Sequence, residues 1–205
     1  MNIDNSVRAF AALLVATFIA SCTTPDNQHR IVISAREQKL AVMDRGNLIA
    51  VYPISTSKFG LSDRPGSYGT PLGRLEIAEK IGDNAPLGAV FKDRRRTGEV
   101  VAVDSPGRDP IVTRILWLRG REPGNANAFR RDIYIHGTPE ERNIGRPVSY
   151  GCIRMRSRDV ISLYNTVGRG AEVTIVNAPL TTAVPGLASA HSMSREANPA
   201  PLVIR

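Results

Sequence analysis

Asp132-Ile133-Tyr134-Ile135-His136-Gly137-Thr138 and Ser149-Tyr150-Gly151-Cys152-Ile153-Arg154-Met155 are the two stretches that decide the fold of this chain. They place a histidine, His136, sixteen residues before a cysteine, Cys152. A thiol is a good nucleophile only as the thiolate, and a free cysteine has a pKa of roughly 8.5. A neighbour that accepts the proton therefore separates a reactive cysteine from an inert one. The pattern predicts that Cys152 is a nucleophile and that His136 is its base.

The amino-terminal segment indicates export. An apolar run from Val7 to Ala20 is followed by Ser21 and Cys22. The run is shorter than the roughly 20 residues that span a bilayer, and small residues before Cys22 suit a signal peptidase. Residues 1–21 are predicted to be a lipoprotein signal peptide, and resemblance to the bacterial lipobox implies lipidation of Cys22. An ordinary secretory peptide with an incidental cysteine is the alternative.

The chain has two cysteines, and we expect no disulfide between them. Cys22 would lie beside the membrane, whereas Cys152 lies deep in the domain. An unpaired thiol in an oxidising compartment is usually retained for its reactivity. The alternative for Cys152 is a small buried hydrophobic residue. Its neighbours Gly151 and Arg154 argue against that reading, because they do not form an apolar run.

Length and charge narrow the class of protein. Without residues 1–21 the chain retains 184 residues, enough for one domain with a proper core. The formal net charge of +8 survives signal removal, because residues 1–21 are neutral. In an exported protein this charge favours cell-wall carboxylates, anionic lipids and lipopolysaccharide over nucleic acid. The densest basic cluster, Lys92–Arg96, contains no aromatic residue, and it is typical of a solvated loop.

Strand signals dominate the first 120 residues. After a polar linker over residues 22–30, short apolar segments alternate with turns rich in Gly, Pro and Asn. One such turn is Asp44-Arg45-Gly46-Asn47. The predicted strands are 31–33, 39–43, 48–54, 74–78, 113–120 and 171–176.

One helix interrupts the strands. Apolar residues recur at helical spacing between Ser157 and Val167, with Ser157 as the expected N-cap and Gly168 after the end. Residues 178–205 lack periodicity and are predicted to be a disordered tail, in which His191 has no assigned role. The prediction is a mainly β, sandwich or barrel-like domain over residues 31–177, with one short helix after Cys152.

These residues resemble the L,D-transpeptidases of bacterial cell walls, ErfK/YbiS-like lipoproteins whose catalytic domain is also called the YkuD domain. The resemblance covers about residues 31–176. It rests on the Thr70-Pro71-Leu72-Gly73 element, the Ile115–Leu118 strand, His136-Gly137-Thr138 and the Ser149–Met155 loop, in that order.

The resemblance implies roles for several residues. Cys152 would attack a peptide carbonyl and form a thioester, and His136 would be the proton donor and acceptor. The backbone carbonyl of Gly137 would orient His136, so no acidic third member is expected. Backbone N–H groups at Tyr150, Gly151 and Cys152 would stabilise the oxyanion.

Two further residues of the loop are candidate substrate-binding residues. Arg154 either orders the loop or meets a substrate carboxylate, because arginine serves both through the same bidentate geometry. Ser149 matches the family and can also bond within the loop.

The chain departs from the family at Tyr150, where a second histidine is common. The departure is harmless if that histidine acts through its backbone. The tyrosine hydroxyl could also replace the missing imidazole donor.

The function that the resemblance implies is acyl transfer in the periplasm. A tetrapeptide stem of peptidoglycan would lose D-alanine and be joined to an amine, usually as a 3→3 cross-link. Relatives attach an outer-membrane lipoprotein or transfer to water. No metal or cofactor is implied, and the lipidated chain is expected at the membrane, preferably the outer one. A sortase-like or papain-like peptidase and a non-catalytic wall-binding lipoprotein are the alternatives.

Overall fold

The computed structural model describes residues 24–184; the predicted signal peptide, Cys22, His191 and most of the predicted tail lie outside them. The described chain forms ten strands, two α-helices and two short 3-10 helices (Pro123–Asn125 and Glu141–Asn143), and none of these helices is long and apolar enough to cross a membrane. The strands are β1 (His29–Ser34), β2 (Lys39–Asp44), β3 (Asn47–Pro53), β4 (Gly73–Ile81), β5 (Ala89–Lys92), β6 (Arg95–Val100), β7 (Ile111–Gly120), β8 (Tyr134–Gly137), β9 (Ile153–Met155) and β10 (Glu172–Val176). The α-helices are α1 (Ser157–Thr166) and α2 (Leu180–Ala183).

The strands belong to one mixed sheet in the order β3-β2-β1-β10-β4-β7, which branches at β7. One branch is the β5–β6 hairpin, and the other is β8 followed by β9. The β1/β10 and β8/β9 pairs are parallel and the other pairs are antiparallel. The predicted mainly β class is confirmed. The sheet is not closed, and an isolated bridge between Ser55 and Arg154 joins β9 to the segment after β3.

The first three strands form the predicted meander. Arg45 and Gly46 have φ values of 48° and 85°, the conformation of a two-residue hairpin turn that matches strand twist. Ile31 and Ile33 of β1 point into the main core, whereas Val32 points to the other face. Both faces of β1 are therefore covered.

The segment after β10 differs from the sequence prediction. We expected residues 178–184 to start a disordered tail, but Leu180 and Val184 are buried against Val32 and Met43. The outer face of β1 and β2 is apolar and needs a cover, and helix α2 supplies it. The sequence showed no periodicity here because one turn of helix is too short to produce it.

The basic cluster is mostly exposed to solvent, as predicted, but it has regular structure. It is not a loop but the tip of the β5–β6 hairpin, where Asp93 and Arg94 have φ values of 49° and 65°. The side chain of Arg94 contacts Tyr134, so this tip reaches strand β8.

Helix α1 packs on β7 and β8 and confirms the predicted helix. Its apolar residues Val160, Leu163 and Tyr164 are buried. The predicted capping role of Ser157 is wrong, because Arg156 is the N-cap and Ser157 is the first helical residue. The Ser157 hydroxyl instead accepts a hydrogen bond from Thr113 at 2.9 Å.

The long loop between β3 and β4, residues 54–72, is fixed by a buried arginine. Nη1 of Arg131 donates to the Ser62 carbonyl at 2.9 Å and to Asp63 Oδ1 at 3.1 Å. Its Nη2 donates to the Gly69 carbonyl at 2.7 Å. One side chain therefore ties several points of the loop to the segment before β8.

Replacing Arg131 with alanine is expected to lower the free energy of unfolding by about 3–5 kcal/mol, because the largely buried Asp63 carboxylate would lose its only cationic partner in the described residues and keep the Asn127 N–H. The matched control is Arg130→Ala, which removes an exposed arginine bonded to Asn127 and should cost less than about 0.5 kcal/mol. Urea unfolding of both variants measures the difference. Equal losses would contradict the role of Arg131.

Candidate active site

The pairing of β8 with β9 brings the predicted catalytic residues to one face of the sheet. Ile135 lies opposite Ile153, and both point into the main core. Side chains alternate along a strand, so His136 and its partner Arg154 point to the other face. Cys152 immediately precedes β9 and is two residues from Arg154, which places it on that same face. The register therefore places Cys152 and His136 on the same face of the sheet, on neighbouring segments.

Cys152 is partly buried and its thiol is hydrogen-bonded to the backbone. Sγ donates to the Asp132 carbonyl at 3.3 Å and accepts the Tyr134 N–H at 3.4 Å. A cavity of about 270 Å³ opens beside the thiol. It is lined by Phe91, Asp93, Arg94, Ile111, Ile115, Asp132, Tyr134 and Cys152.

Within residues 24–184, no hydrogen bond joins the Cys152 thiol to His136 in this resting arrangement. We expect a change of the Cys152 rotamer to bring Sγ to the imidazole. Catalytic hydrogen bonds commonly tighten only in the substrate complex.

His136 is fixed by the backbone carbonyl that the resemblance implied. Nδ1 lies 2.8 Å from the Gly137 oxygen, so Nδ1 carries the proton that it donates. Nε2 is then left unprotonated and can accept a proton. His136 is only 5% exposed, which keeps this orientation.

Both groups are neutral at pH 7. Burial raises the pKa of the Cys152 thiol to about 11, while the Tyr134 N–H and the charge of Arg154 oppose the rise. Burial lowers the pKa of His136 to about 4; the Gly137 carbonyl opposes this, and Arg154 adds to it. The resting site is therefore a thiol and an imidazole rather than an ion pair. The thiol proton must move as the sulfur attacks.

Residues 149–152 form the loop that carries Cys152, and we call it the nucleophile loop. It is held by Ser149, which is fully buried. Its hydroxyl donates to the Cys152 carbonyl at 2.6 Å and accepts the Gly151 N–H at 3.2 Å. The N–H groups of Tyr150 and Cys152 have no partner in the described part of the chain. These two groups are available for an oxyanion, whereas the predicted Gly151 N–H is already bonded. Burial of Ser149 favours loop ordering over contact with substrate.

Thr70 supports the same loop from the other side. Its hydroxyl donates to the Gly151 carbonyl at 2.9 Å and accepts the Ser57 N–H at 3.0 Å. Gly151 has φ +122°, and an added Cβ would lie 3.2 Å from Ile133 and 3.3 Å from the Gly69 carbonyl oxygen. Thr70, of the Thr70-Pro71 element quoted from the sequence, thus fixes the backbone immediately before Cys152.

The Arg154 side chain forms an ion pair within the protein. Its Nη1 lies 2.6 Å from Asp109 Oδ2, and Thr138 donates to the other Asp109 oxygen at 2.5 Å. Of the two roles left open by the sequence, the ion pair supports ordering of the site. Asp109 was missed, because nothing in its local sequence connects it with a strand 45 residues away.

Tyr150 points away from the thiol. Its side chain is 56% exposed, and its hydroxyl accepts a hydrogen bond from Lys58 Nζ at 2.9 Å. The hydroxyl therefore does not replace the imidazole donor in this arrangement. Only the backbone of Tyr150 can contribute to the oxyanion site.

Comparison with known proteins agrees with this geometry. The model of the YkuD family, the L,D-transpeptidase catalytic domain, matches residues 28–175. The chain belongs to the L,D-transpeptidase catalytic-domain family. The resemblance read from the sequence is confirmed at this level.

Several relatives of this L,D-transpeptidase domain carry the family name. The probable L,D-transpeptidase YbiS of Escherichia coli K12 is 32% identical over 162 residues, which are 76% of this chain and 47% of that protein. The putative L,D-transpeptidase YkuD of Bacillus licheniformis is 27% identical over 77% of this chain and 72% of its own length. The solved L,D-transpeptidase from Mycobacterium smegmatis aligns with a TM-score of 0.47 and 16% identity, covering 73% of this chain and 58% of that one. The chain thus spans about half the length of the E. coli relative.

No group of three or more His, Cys, Asp or Glu side chains in residues 24–184 is arranged to hold a metal ion.

Stability is expected to fall as the pH drops from 6.5 to 4, because of His136. Its folded pKa of about 4 lies below its ordinary value of 6.5, so the unfolded chain binds more protons between these limits. The contribution is complete above pH 6.5, and its loss at low pH amounts to about 3 kcal/mol. Urea unfolding between pH 4 and 7 should show a shallower pH dependence for His136→Gln. If the free energy of unfolding depends on pH equally in both proteins, the lowered pKa of His136 is contradicted.

Alkylation of Cys152 should be slow at neutral pH. In a Cys22→Ser protein Cys152 is the only thiol, and its rate with iodoacetamide should rise about tenfold per pH unit up to about pH 10. The same protein in urea is the control and should level off above roughly pH 8.5. A plateau near pH 7 in the folded protein would mean that a thiolate–imidazolium pair is already formed.

Proposed function

We propose that this protein is a cell-wall L,D-transpeptidase in which Cys152 forms a thioester with a tetrapeptide stem of peptidoglycan. The single observation that carries the proposal is the shared sheet face of Cys152 and His136, set by the β8/β9 register, within a family of this activity. The positive net charge suits a substrate rich in carboxylates.

The first half of the reaction forms the thioester. Sγ of Cys152 attacks the carbonyl carbon before D-alanine as its proton passes to Nε2 of His136. The oxyanion accepts hydrogen bonds from the N–H groups of Tyr150 and Cys152. His136 then returns the proton to the departing nitrogen, the C–N bond breaks, and D-alanine leaves.

The second half transfers the acyl group. An acceptor amine attacks the thioester carbonyl and gives its proton to His136. The C–S bond breaks, a new amide forms, and the proton returns to the thiol. With an amine of a second stem the product is a 3→3 cross-link; with an outer-membrane lipoprotein it is a covalent attachment; with water it is a tripeptide.

The proposed place of this reaction is the periplasm. Cys22, at the end of the predicted signal peptide, would carry lipid and hold the protein at a membrane, with the outer membrane preferred. Resemblance to Gram-negative lipoproteins associates an Asp directly after the lipidated cysteine with retention in the inner membrane. This chain has Thr23 at that position, which supports the outer membrane.

The test is mass spectrometry of disaccharide tetrapeptide incubated with the Cys22→Ser protein, with Cys152→Ala in the same background as the matched control. We expect a dimer lighter by one D-alanine, lost in the control. Tripeptide alone would identify water as the acceptor. Carbapenems acylate the cysteine of family members, so an active Cys152 should also form a carbapenem adduct. If there is neither product nor adduct, a wall-binding protein is the better explanation.

A further inference from the structure

The cations around the nucleophile are almost all neutralised. Three arginines lie beside the nucleophile loop or line the cavity next to Cys152, and each is paired with an aspartate. The pairs are Arg94–Asp132 at 3.0 Å, Arg131–Asp63 at 3.1 Å and Arg154–Asp109 at 2.6 Å. None of these arginines carries a free charge toward an incoming anion.

Lys58 is the exception. Within residues 24–184 its ammonium group has no carboxylate partner, and its only side-chain hydrogen bond goes to the Tyr150 hydroxyl. Nζ lies 4.3 Å from the centre of the Tyr150 ring and 5.2 Å from that of Phe59. Tyr150 is two residues before Cys152 in the chain, so the free charge stands on the outer surface of the loop that carries the thiol.

Exposed aromatic rings surround this ammonium group. Phe59, Tyr68 and Tyr150 are 51%, 56% and 56% exposed, and their ring centres are 5.4–6.0 Å apart. Aromatic rings grouped on a surface usually mark an interaction site. We name Lys58 and these three rings the aromatic patch.

The backbone under the aromatic patch is fixed. Tyr68 has a positive φ of 55°, an uncommon conformation for a residue that is not glycine. Its carbonyl accepts the Ser57 hydroxyl at 2.5 Å, and the next carbonyl, that of Gly69, accepts Arg131. The Lys58 N–H donates to the Ser149 carbonyl at 3.1 Å, which links the patch directly to the nucleophile loop. The patch is therefore preorganised with the site.

We propose that the aromatic patch is a substrate subsite in which Lys58 binds a free carboxylate of the acidic stem peptide while the rings contact its aliphatic part. The inference rests on the proposed function and adds the group that the enzyme recognises. A neutral sugar would leave the unpaired charge of Lys58 unused. Charge complementarity and continuity with the nucleophile loop both favour the peptide.

A consequence is selectivity between charged and amidated stems. A carboxamide lacks the negative charge that Lys58 complements, so such a stem would bind more weakly. The effect belongs to binding, because Lys58 does not touch the reacting atoms. It is therefore expected in KM, with kcat within about twofold.

The test uses the Cys22→Ser protein and tetrapeptide stems in which one carboxylate at a time is replaced by a carboxamide. For one of these positions, amidation should raise KM about five- to tenfold in the parent protein and have no effect in Lys58→Met. Lys58→Arg keeps the charge and should restore the discrimination. Lys39→Met, which removes an exposed lysine of β2, is the matched control and should behave like the parent. The KM ratio should shrink at high salt.

Thermal unfolding of each variant confirms that the fold is intact. If no amidated stem distinguishes the parent from Lys58→Met, the inference is wrong although the transpeptidase activity stands. A KM that depends on the disaccharide and on the aromatic rings, but on no carboxylate, would instead assign the patch to the glycan. If the parent transfers no acyl group to any stem, the proposed function fails. Calorimetry then tests the subsite separately, by comparing the binding of the same stems to the Cys152→Ala protein and to the same protein that also carries Lys58→Met.

Discussion

In a parallel pair of strands, residues that face each other send their side chains to the same side of the sheet, and β8 and β9 depend on this constraint. Ile135 and Ile153 fill the core on one side, so His136 and Arg154 must emerge on the other. The core therefore fixes the register, because a slip of one residue would put a polar or charged side chain into the apolar main core in place of an isoleucine. The shared face of Cys152 and His136 is a consequence of hydrophobic packing rather than of any bond between them.

Burial has a second effect on the same residues. Desolvation penalises the charged forms of Cys152 and His136 alike, so the resting pair is neutral. A neutral thiol reacts slowly with general oxidants, since oxidation follows thiolate character. In the proposed reaction the thiol would therefore resist oxidation until a substrate carbonyl is present and its proton moves with the attack. Residual charge near the thiol is also limited, because the surrounding arginines are held by aspartates.

These ion pairs explain how a basic protein keeps an ordered site. Arg131 fixes the long loop before β4, and Arg154 orders the strand that carries the nucleophile. Each is mostly buried and each has its aspartate, as the cost of an unpaired buried charge requires. Lys58 is on the surface, where water and aromatic rings solvate it, so it can remain without an acidic partner until an anion arrives.

The sequence by itself determined the local features. Short apolar segments bounded by turn residues predicted six of the ten strands, and helical spacing predicted α1. His136 and Cys152 stood out because they are reactive residue types placed close together in the chain. Periodicity reports only the nearest neighbours along one element. Features that depend on which elements meet were decided by the tertiary structure alone.

The partners of the site are of this second kind. Asp109 reaches Arg154 from 45 residues away, and Lys58 reaches Tyr150 from 92 residues away. The same reason explains the segment at residues 178–184, which is ordered because the outer face of β1 and β2 needs a cover. The candidate chemistry could be predicted from the sequence because it depends on two residue types. The ion pairs around the site could not be predicted, because ion pairing depends on distances that only folding sets.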